Sequence, residues 1–304
     1  IPGRDLAPDL VITSAPHINP ALVDDLAALS RTGVPILLDL DADYRQMPVS
    51  HPDYARAGLG TQASSDAFAT ALSLAGVITV SSEAQVASLK DVAERVRVIP
   101  TGWSRQNKLW EKTSVQRGVL SLGWVGTSGE LEDLMLIRRF IVRILREFTN
   151  VQIVIVGSPQ AYRLFDGIPE TRRKYIPLVA HDEFPYILSQ LDVLMVPLRN
   201  LPQNVSVSDT LLMEAGAKGV PWIASSMPAF REWRAGGIIP ESPDDWHLNL
   251  RYLVMDAELR SKLSKAGREA ARTREMEYMG RSWKDLISQM TGINSASLPK
   301  MANV

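Results

Sequence analysis

The stretch spanning residues 191–225 most constrains what this chain can fold into, because it has the pattern of a strand, a polar loop, a helix and a second strand. Residues 192–196 form an apolar run of strand length, and residues 209–218 have a helical periodicity that ends at Gly219. One carboxylate, Glu214, lies inside this helix. In a parallel α/β sheet, a helix that follows a strand points its free N–H groups at the carboxyl edge, where anions bind. The pattern therefore predicts an anion site there.

The same alternation of strands and helices runs along the whole chain, which favours an α/β fold with parallel sheets built from βαβ units. Strands are predicted at residues 10–14, 34–39, 77–80, 96–99, 119–124, 151–156, 176–179, 192–196 and 220–224. Helices are predicted at residues 21–31, 64–75, 82–94, 130–148, 184–191, 209–218, 243–255, 257–273 and 275–290. The periodicity lapses between Trp103 and Arg117, so we expect a domain boundary near residue 116.

The composition argues against several classes of protein. Lysine and arginine total 33 against 34 acidic residues, for a net charge of −1, so the chain has no electrostatic footprint for nucleic acid. It has no cysteine, and its four histidines have no ligand spacing, so we expect neither disulfides nor a metal site. No apolar run is long enough to span a bilayer, and no signal peptide is evident, so we expect a soluble, cytoplasmic protein.

One motif carries a family resemblance. Residues 211–225, LLMEAGAKGVPWIAS, resemble the passage LLEAxAxGxPVVAS of retaining nucleotide-sugar glycosyltransferases with the GT-B fold, especially family 4. The resemblance implies two Rossmann-like domains, with Glu214 accepting hydrogen bonds from the donor's ribose hydroxyls. A partner glutamate lies eight positions earlier in that family, where this chain has Ser206. The alternative is that Glu214 is an ordinary glutamate of an amphipathic helix.

The resemblance extends over most of the chain. Residues 76–103 are similar to the passage that closes the family's first domain, residues 118–225 to its donor-binding domain, and residues 228–233 to the following loop. It implies an N-terminal domain over residues 1–116, a donor-binding domain over 117–274, a helix at 275–290 that packs across both domains, and a poorly ordered tail at 291–304. The N-terminal domain is short, and its first βα units either precede residue 1 or are lacking.

A glycine-rich turn follows the first strand of the predicted donor domain, in the sequence LGWVGTSG at residues 122–129. Glycine lets backbone N–H groups approach a phosphate closely, and the helix end offsets anionic charge without a cation. Gly126, Thr127, Ser128 and Gly129 are therefore candidate phosphate-binding residues. The alternative is a glycine-rich turn with no ligand.

The resemblance also implies cations near this turn, because family members often place an arginine and a lysine there. Here Trp124, Leu131 and Glu132 occupy the neighbouring positions. Arg199 is the nearest loop residue able to neutralise a diphosphate, and the alternative is a solvated surface arginine.

The loop before the Glu214 helix resembles a bacterial branch of the family that reads NxxKSDxKxLE. Asn204, Ser208 and Asp209 are retained as candidate donor-binding residues, whereas Val207 replaces the lysine. The missing cation puts turnover in doubt, because transfer needs the departing diphosphate stabilised.

Three acids, Asp39, Asp41 and Asp43, lie at the end of the second predicted strand and just beyond it. The resemblance places Asp41 where an active-site histidine is common, and the bacterial branch has acidic residues there. Because alternate residues of a strand share a face, all three could enter one cleft, and their mutual repulsion would raise a pKa. We therefore expect Asp41 and Asp39 in catalysis and Asp43 at the acceptor. The alternative is that they cap the next helix or stay hydrated.

Two histidines are candidate ligand contacts. His17 follows the first predicted strand and is a candidate for the acceptor, with local hydrogen bonding as the alternative. His181 corresponds to the family's loop near the donor base, where backbone contacts from residues 179–181 are expected.

These features favour a retaining, metal-independent glycosyltransferase that moves a sugar from a nucleotide diphosphate sugar to a hydroxyl acceptor of unknown class. No cofactor is expected beyond this donor, and peripheral membrane contact is left open. One alternative is a catalytically impaired, glycosyltransferase-like nucleotide-binding or scaffold protein. Another is a different GT-B activity, such as epimerisation of a nucleotide sugar.

Overall fold

The computed structural model describes residues 8–111 and 118–294. These residues form two compact units. The first comprises residues up to Thr101, the segment Val205–Asp209 and the residues from Glu277 onward, and the second comprises Gly102–Asn204 and Thr210–Met276. The predicted boundary near residue 116 and most of the predicted tail lie outside the described residues.

The first unit is built on a four-stranded parallel sheet in the order β1-β2-β3-β4. Its strands are β1 (Val11–Thr13), β2 (Ile36–Leu40), β3 (Val77–Val80) and β4 (Val96–Val98). Its helices are α1 (Pro20–Arg31), α2 (Tyr54–Ala57), α3 (Gln62–Leu74), α4 (Glu83–Ser88) and, at the end of the chain, α12 (Met276–Thr291). Short 3-10 turns cover Pro16–Ile18, Tyr44–Gln46 and Lys90–Arg95.

Successive residues of β2 point to opposite faces of this sheet, and both faces are covered. Leu38 and Leu40 lie in a core with Phe68 of α3. Leu37 packs on the other face, against Leu286 of α12. α12 therefore packs on the sheet of the first unit, and its packing across both domains stays a prediction.

The second unit contains the remaining elements. Its strands are β5 (Leu120–Gly126), β6 (Val151–Gly157), β7 (Arg173–Ile176), β8 (Val193–Val196), β9 (Trp222–Ala224) and β10 (Gly237–Ile238). Its helices are α5 (Leu131–Glu147), α6 (Pro159–Arg163), α7 (Phe184–Leu188), α8 (Pro202–Val205), α9 (Thr210–Lys218), α10 (Asp245–Met255) and α11 (Ala257–Arg272). The 3-10 turns are Lys108–Trp110, Ser128–Glu130, Glu170–Arg172, His181–Glu183 and Pro228–Gly236.

All six strands of this unit are parallel, in the order β10-β9-β8-β5-β6-β7. The chain proceeds from β5 to β7 in one direction and then from β8 to β10 in the other. The direction therefore reverses between β5 and β8, and in open α/β sheets ligands bind in the crevice at this reversal, beyond the carboxyl ends of the strands.

Several predicted elements have other bounds in the structure, and two of these differences have a local reason. The strand predicted at residues 176–179 is β7, Arg173–Ile176, because Pro177 has no N–H to continue the ladder. The helix predicted at residues 82–94 is divided into α4 and the 3-10 turn Lys90–Arg95, in which Val92 departs from helical dihedrals.

The packing of α12 generates a prediction. Leu286→Ala removes a side chain that is 6% exposed, so we expect it to lower the free energy of unfolding by about 2–4 kcal/mol. Tyr278→Ala, on the same helix but 54% exposed, is the control and should change it by no more than about 0.5 kcal/mol. Urea unfolding followed by circular dichroism measures both, and equal losses would contradict this packing.

Candidate functional site

The candidate donor residues of the second unit follow the strands on either side of the reversal. The glycine-rich turn begins at Gly126, the last residue of β5, and the segment after β8 contains Arg199 in a loop and Asn204 in the short helix α8. β5 and β8 are hydrogen-bonded neighbours, paired from Leu122 with Val193 onward. The parallel register therefore brings both loops to the same edge of one sheet.

The turn after β5 is closed by its own side chains. The backbone N–H and the hydroxyl of Thr127 both donate to Oε2 of Glu130, at 2.7 and 2.8 Å. The N–H of Gly129 donates in turn to the Thr127 hydroxyl at 3.1 Å. This arrangement is a capping box, in which a carboxylate takes the place that an anion would have at the start of a helix.

The two glycines at the ends of β5 and β6 are required by packing. A Cβ atom on Gly126 would lie 2.5 Å from the ring of Trp124. Gly157 has a φ of +98°, and a Cβ atom there would lie 2.4 Å from the carbonyl oxygen of Gly126. These contacts explain Gly126 without a ligand, as the alternative for this turn supposes.

Asp133, in the first turn of α5, ties the loop after β8 to the helix after β5. This buried carboxylate accepts hydrogen bonds from the backbone N–H and the Nε of Arg199, both at 2.9 Å. It also accepts from Nδ2 of Asn204, which lies 3.1 Å from Oδ2. Arg199 and Asn204 therefore hold the loop in place.

Arg199 is not the solvated arginine of the alternative. Its guanidinium pairs with Asp133 and also with Glu132. Two carboxylates thus face one cation, so the positive charge expected to offset a diphosphate is already matched within the protein. The position of Arg199 at the sheet edge agrees with the prediction, but its charge is engaged.

Glu214 lies in α9, which packs closely on α11. A Cβ atom on Gly216 would come within 2.8 Å of the carbonyl oxygen of Gly267, so only glycine permits this approach. One turn after Glu214, the ammonium of Lys218 donates to the carbonyl oxygen of Leu109 and is itself 2% exposed. The Glu214 carboxyl also lies in the interior, where the residue is 5% exposed.

Burial alone raises the pKa of Glu214, from its ordinary value of 4.5 to about 8. The nearest titratable side chain is His181, whose Nε2 lies 3.7 Å from Oε1 of Glu214. This distance is within ion-pair range but longer than a hydrogen bond. The imidazole is 78% exposed, so it stands between the buried carboxyl and solvent. The structure therefore brings together two of the predicted donor residues.

The other loop candidates belong to the first unit. Ser206, Ser208 and Asp209 fall in the segment Val205–Asp209, which clusters with that unit. Ser206 and Asp209 are 5% and 4% exposed, so both side chains are largely inaccessible. A donor-binding role for Ser208 and Asp209 stays a prediction.

In the first unit, Asp39 and Asp41 lie at the carboxyl end of β2. The hydroxyl of Thr79 donates to Asp39 at 2.5 Å, and the hydroxyl of Tyr44 donates to Asp41 at 2.7 Å. Burial raises the pKa of Asp39, and the charge of Asp41 adds to the rise. The charge of Asp41 therefore contributes to the raised pKa of Asp39.

Asp43 does not share their face. β2 ends at Leu40, so the strand alternation that would align all three acids does not reach Asp41 and Asp43. Asp43 instead accepts the N–H of Arg45 at 3.2 Å and caps the turn Tyr44–Gln46. The prediction of one strand face for all three acids is therefore wrong, and Asp43 has the helix-capping role of the alternative.

His17 is 3% exposed and hydrogen-bonds through Nε2 to the carbonyl oxygen of Ala57 at 2.9 Å. Its ring packs edge-on against Tyr44 and Phe68, with centroids 4.6 and 5.1 Å away. Burial lowers its pKa. This is the local hydrogen bonding that the sequence analysis kept as the alternative to an acceptor contact.

Within residues 8–111 and 118–294, no cluster of histidine and acidic side chains could hold a metal ion. Over the same residues, no helix combines the length and the apolar character needed to cross a bilayer.

Two residues of the site were not predicted. Glu130 could have been found, because Thr127 and Glu130 have the T-x-x-E spacing of a capping box. Asp133 carries no comparable signal, since its partner Arg199 lies 66 positions away in sequence.

The buried Asp133 network generates a prediction. Asp133→Ala leaves the guanidinium of Arg199 and the amide of Asn204 without this acceptor, so we expect a loss of about 2–4 kcal/mol in the free energy of unfolding. Glu132→Gln changes a side chain that is 61% exposed and should cost less than about 1 kcal/mol. Chemical denaturation measures both, with amide hydrogen exchange of residues 198–204 as the local readout. Unchanged exchange in Asp133→Ala would contradict the network's role.

Comparison with known proteins supports the interpretation of the second unit. Residues 138–287, just under half of the chain, match a family model described as glycosyl transferase-like. No curated protein matches the chain in sequence.

Solved structures match over nearly the whole chain. Anabaena HepE, solved in complex with UDP and glucose, has 14% identity and a TM-score of 0.66 over 92% of this chain and 77% of its own. Sucrose-phosphate synthase from Thermosynechococcus elongatus has 17% identity and a TM-score of 0.65, over 93% and 74%. A UDP-forming α,α-trehalose-phosphate synthase from Burkholderia xenovorans has 15% identity and a TM-score of 0.62, over 96% and 75%. The chain thus has the two-sheet α/β fold of GT-B glycosyltransferases, and residues 138–287 are similar in sequence to a glycosyltransferase-like family.

Proposed function

We propose that this protein is a glycosyltransferase that moves a sugar from a nucleotide diphosphate sugar to a hydroxyl acceptor, with retention and without a bound metal. The observation that carries the proposal is the Glu214 carboxyl, buried in the helix that follows the β5–β8 reversal. Retention and metal independence follow from the resemblance to family 4 enzymes.

The donor's ribose is the proposed partner of Glu214. Two vicinal hydroxyls can donate to the two oxygens of one carboxylate, which offsets the cost of burying its charge. The similarity to HepE, which was solved with UDP and glucose, makes a uridine nucleotide the first donor to test. His181, whose Nε2 lies 3.7 Å from the Glu214 carboxyl, would contact the nucleoside.

The diphosphate would lie against the turn of Gly126, Thr127, Ser128 and Gly129, at the N-terminal end of α5. The helix end offers positive potential there. Glu130 already accepts from Thr127, so a bound phosphate would have to share or displace that carboxylate. Asn204 would support this edge through its bond to Asp133.

The proposed acceptor chemistry lies in the first unit. Asp39 and Asp41 are the candidate catalytic carboxylates, and the raised pKa of Asp39 suits a group that takes a proton from a sugar hydroxyl. Asp41, which accepts a hydrogen bond from the Tyr44 hydroxyl, would help to orient the acceptor.

A second candidate function is nucleotide-sugar binding without turnover. It is motivated by the ion pairs of Arg199 with Asp133 and Glu132, which leave this cation already matched. Without a cation to stabilise the leaving diphosphate, binding would persist while transfer would be slow.

Incubation with UDP-, GDP-, ADP- and dTDP-sugars, with release of nucleoside diphosphate as the readout, tests the proposal. Release with one donor class supports transfer or donor hydrolysis, and binding by calorimetry without release supports the second candidate. Epimerised donor in the absence of an acceptor would indicate the epimerase instead. Neither binding nor release with any donor would overturn both functions.

Glu214→Gln generates the main prediction for this function. It keeps the shape but removes the negative charge, so we expect nucleotide-sugar affinity to fall about 10- to 100-fold, as for loss of charge-assisted hydrogen bonds. Glu258→Gln, at an exposed position in the first turn of α11, is the control and should bind as the wild type does. Equal affinities in all three proteins, measured by isothermal titration calorimetry, would contradict the role of Glu214.

Asp41→Asn tests the acceptor side separately. If Asp41 acts on the acceptor, the variant should lose at least about tenfold in kcat while its calorimetric affinity for the donor stays unchanged. A loss of donor affinity as large as the loss of kcat would contradict a role of Asp41 at the acceptor.

A further inference from the structure

Glu214 is buried without the donors that usually accompany a buried carboxylate. Among residues 8–111 and 118–294, none donates a hydrogen bond to it, and its polar contact is the imidazole of His181 at 3.7 Å. Buried ionised carboxylates in proteins are normally paired or hydrogen-bonded, because their desolvation is otherwise too costly. Burial accordingly raises the pKa of Glu214 to about 8.

Several other charged side chains lie on α9 or on the elements that pack against it, and each is a potential partner of Glu214. Lys218, on α9 itself, donates to the carbonyl oxygen of Leu109. Arg268, on α11, lies against Gly219 at the C-terminal end of α9. The further titratable groups are Asp182 and Glu183 beside His181, Tyr186 on α7, Arg231, Glu232 and Arg234 on the turn Pro228–Gly236, and Glu258, Arg260, Lys262, Lys265, Glu269 and Arg272 on α11. Of all these side chains, His181 is the one within ion-pair distance of Glu214.

We propose that a nucleotide sugar binding at this site displaces a proton from Glu214, so that affinity for the donor is set by pH. This inference rests on the proposed function. In the step, the O–H bond of the Glu214 carboxyl breaks and the proton passes to solvent at the side of the exposed His181. The carboxylate that remains accepts hydrogen bonds from the ribose hydroxyls, which keep their own protons. No oxidant or further reactant is needed.

The direction of the effect follows from which form binds. If the ligand binds the ionised form, the apparent Kd equals the intrinsic Kd divided by the ionised fraction. With a pKa of about 8, that fraction is about one in a hundred at pH 6, about one in ten at pH 7 and about one half at pH 8. Affinity should therefore improve about tenfold from pH 6 to pH 7 and about fivefold from pH 7 to pH 8.

Isothermal titration calorimetry of the full chain with UDP-glucose, ADP-glucose or GDP-glucose tests this directly. The phosphates of these diesters do not titrate near neutrality, unlike the terminal phosphate of a free nucleoside diphosphate. Titration at pH 7 in buffers of different ionisation enthalpy counts the protons released. We expect about 0.9 proton per bound ligand at pH 7 and about one half at pH 8.

Two variants identify the source of the proton. His181→Gln should still release a proton and keep the affinity gain from pH 7 to pH 8, because the proton comes from the carboxyl and not from the imidazole. Glu214→Gln should release none, and whatever affinity it retains should not vary over this range. Loss of the pH dependence in His181→Gln would assign the proton to histidine and overturn the proposal.

A ligand-free measurement covers the case in which Glu214→Gln no longer binds. A carboxyl whose pKa is raised on folding stabilises the folded state fully below its unfolded pKa of 4.5, and this contribution is lost as pH rises through about 8. The wild type should therefore lose stability relative to Glu214→Gln between pH 5 and pH 8 in urea unfolding. A constant difference would overturn the buried proton.

The outcomes separate this inference from the proposed function. If a nucleotide sugar binds without proton release and its affinity does not vary with pH, the proton coupling is overturned and the donor site is retained. If no nucleotide sugar binds at any pH while the stability difference persists, the donor site is overturned.

Discussion

The burial of the Glu214 carboxyl within α9 is the constraint on which the rest of the site depends. Gly216 lets α9 approach the backbone at Gly267, while Glu214, two residues earlier and so on the other side of the helix, is buried at 5% exposure beside His181. Lys218, one turn later, is fixed to the carbonyl oxygen of Leu109, so the helix cannot easily turn the acid outward. Burying a carboxyl without donors opposes folding. Such a group is more readily explained by a ligand that supplies hydroxyls than by stability.

At the carboxyl edge of the larger sheet, the charged side chains pair with groups of the protein itself. Glu130 accepts from the turn that would bind phosphate, and Asp133 with Glu132 matches the charge of Arg199. Under the proposed function, anion binding at this edge would therefore rely on the helix end and the backbone more than on free cations. This balance separates tight binding from fast transfer, since the leaving group needs more stabilisation than the bound substrate.

Much of the fold could be predicted from sequence, because the buried parallel strands and amphipathic helices have distinct periods. β3 was predicted at its observed bounds, and α5 within a residue at each end. The predicted alternation failed at Leu40, where the chain leaves the strand and Asp43 turns to cap a helix. Capping geometry depends on dihedral angles that a hydrophobic pattern does not encode.

The candidate site, too, could be predicted from sequence only in part. Glu214 could be singled out because a charge in an apolar helix is visible in one segment of sequence. The network of Asp133 with Arg199 could not, because it joins residues that only the β5–β8 pairing brings together. The engaged charge of Arg199 is likewise a property of the fold, although the residue's place at the sheet edge was predicted.

The central claim is that the Glu214 carboxylate accepts hydrogen bonds from the ribose hydroxyls of a nucleotide. A double-mutant cycle, with one change in the ligand and one in the protein, tests it most directly. Affinities of UDP and of 2′,3′-dideoxy-UDP are compared in the wild type and in Glu214→Gln. The account predicts that removing the hydroxyls costs the wild type at least about tenfold in affinity and the variant much less, a coupling of about 1 kcal/mol or more. Equal losses in both proteins would contradict it.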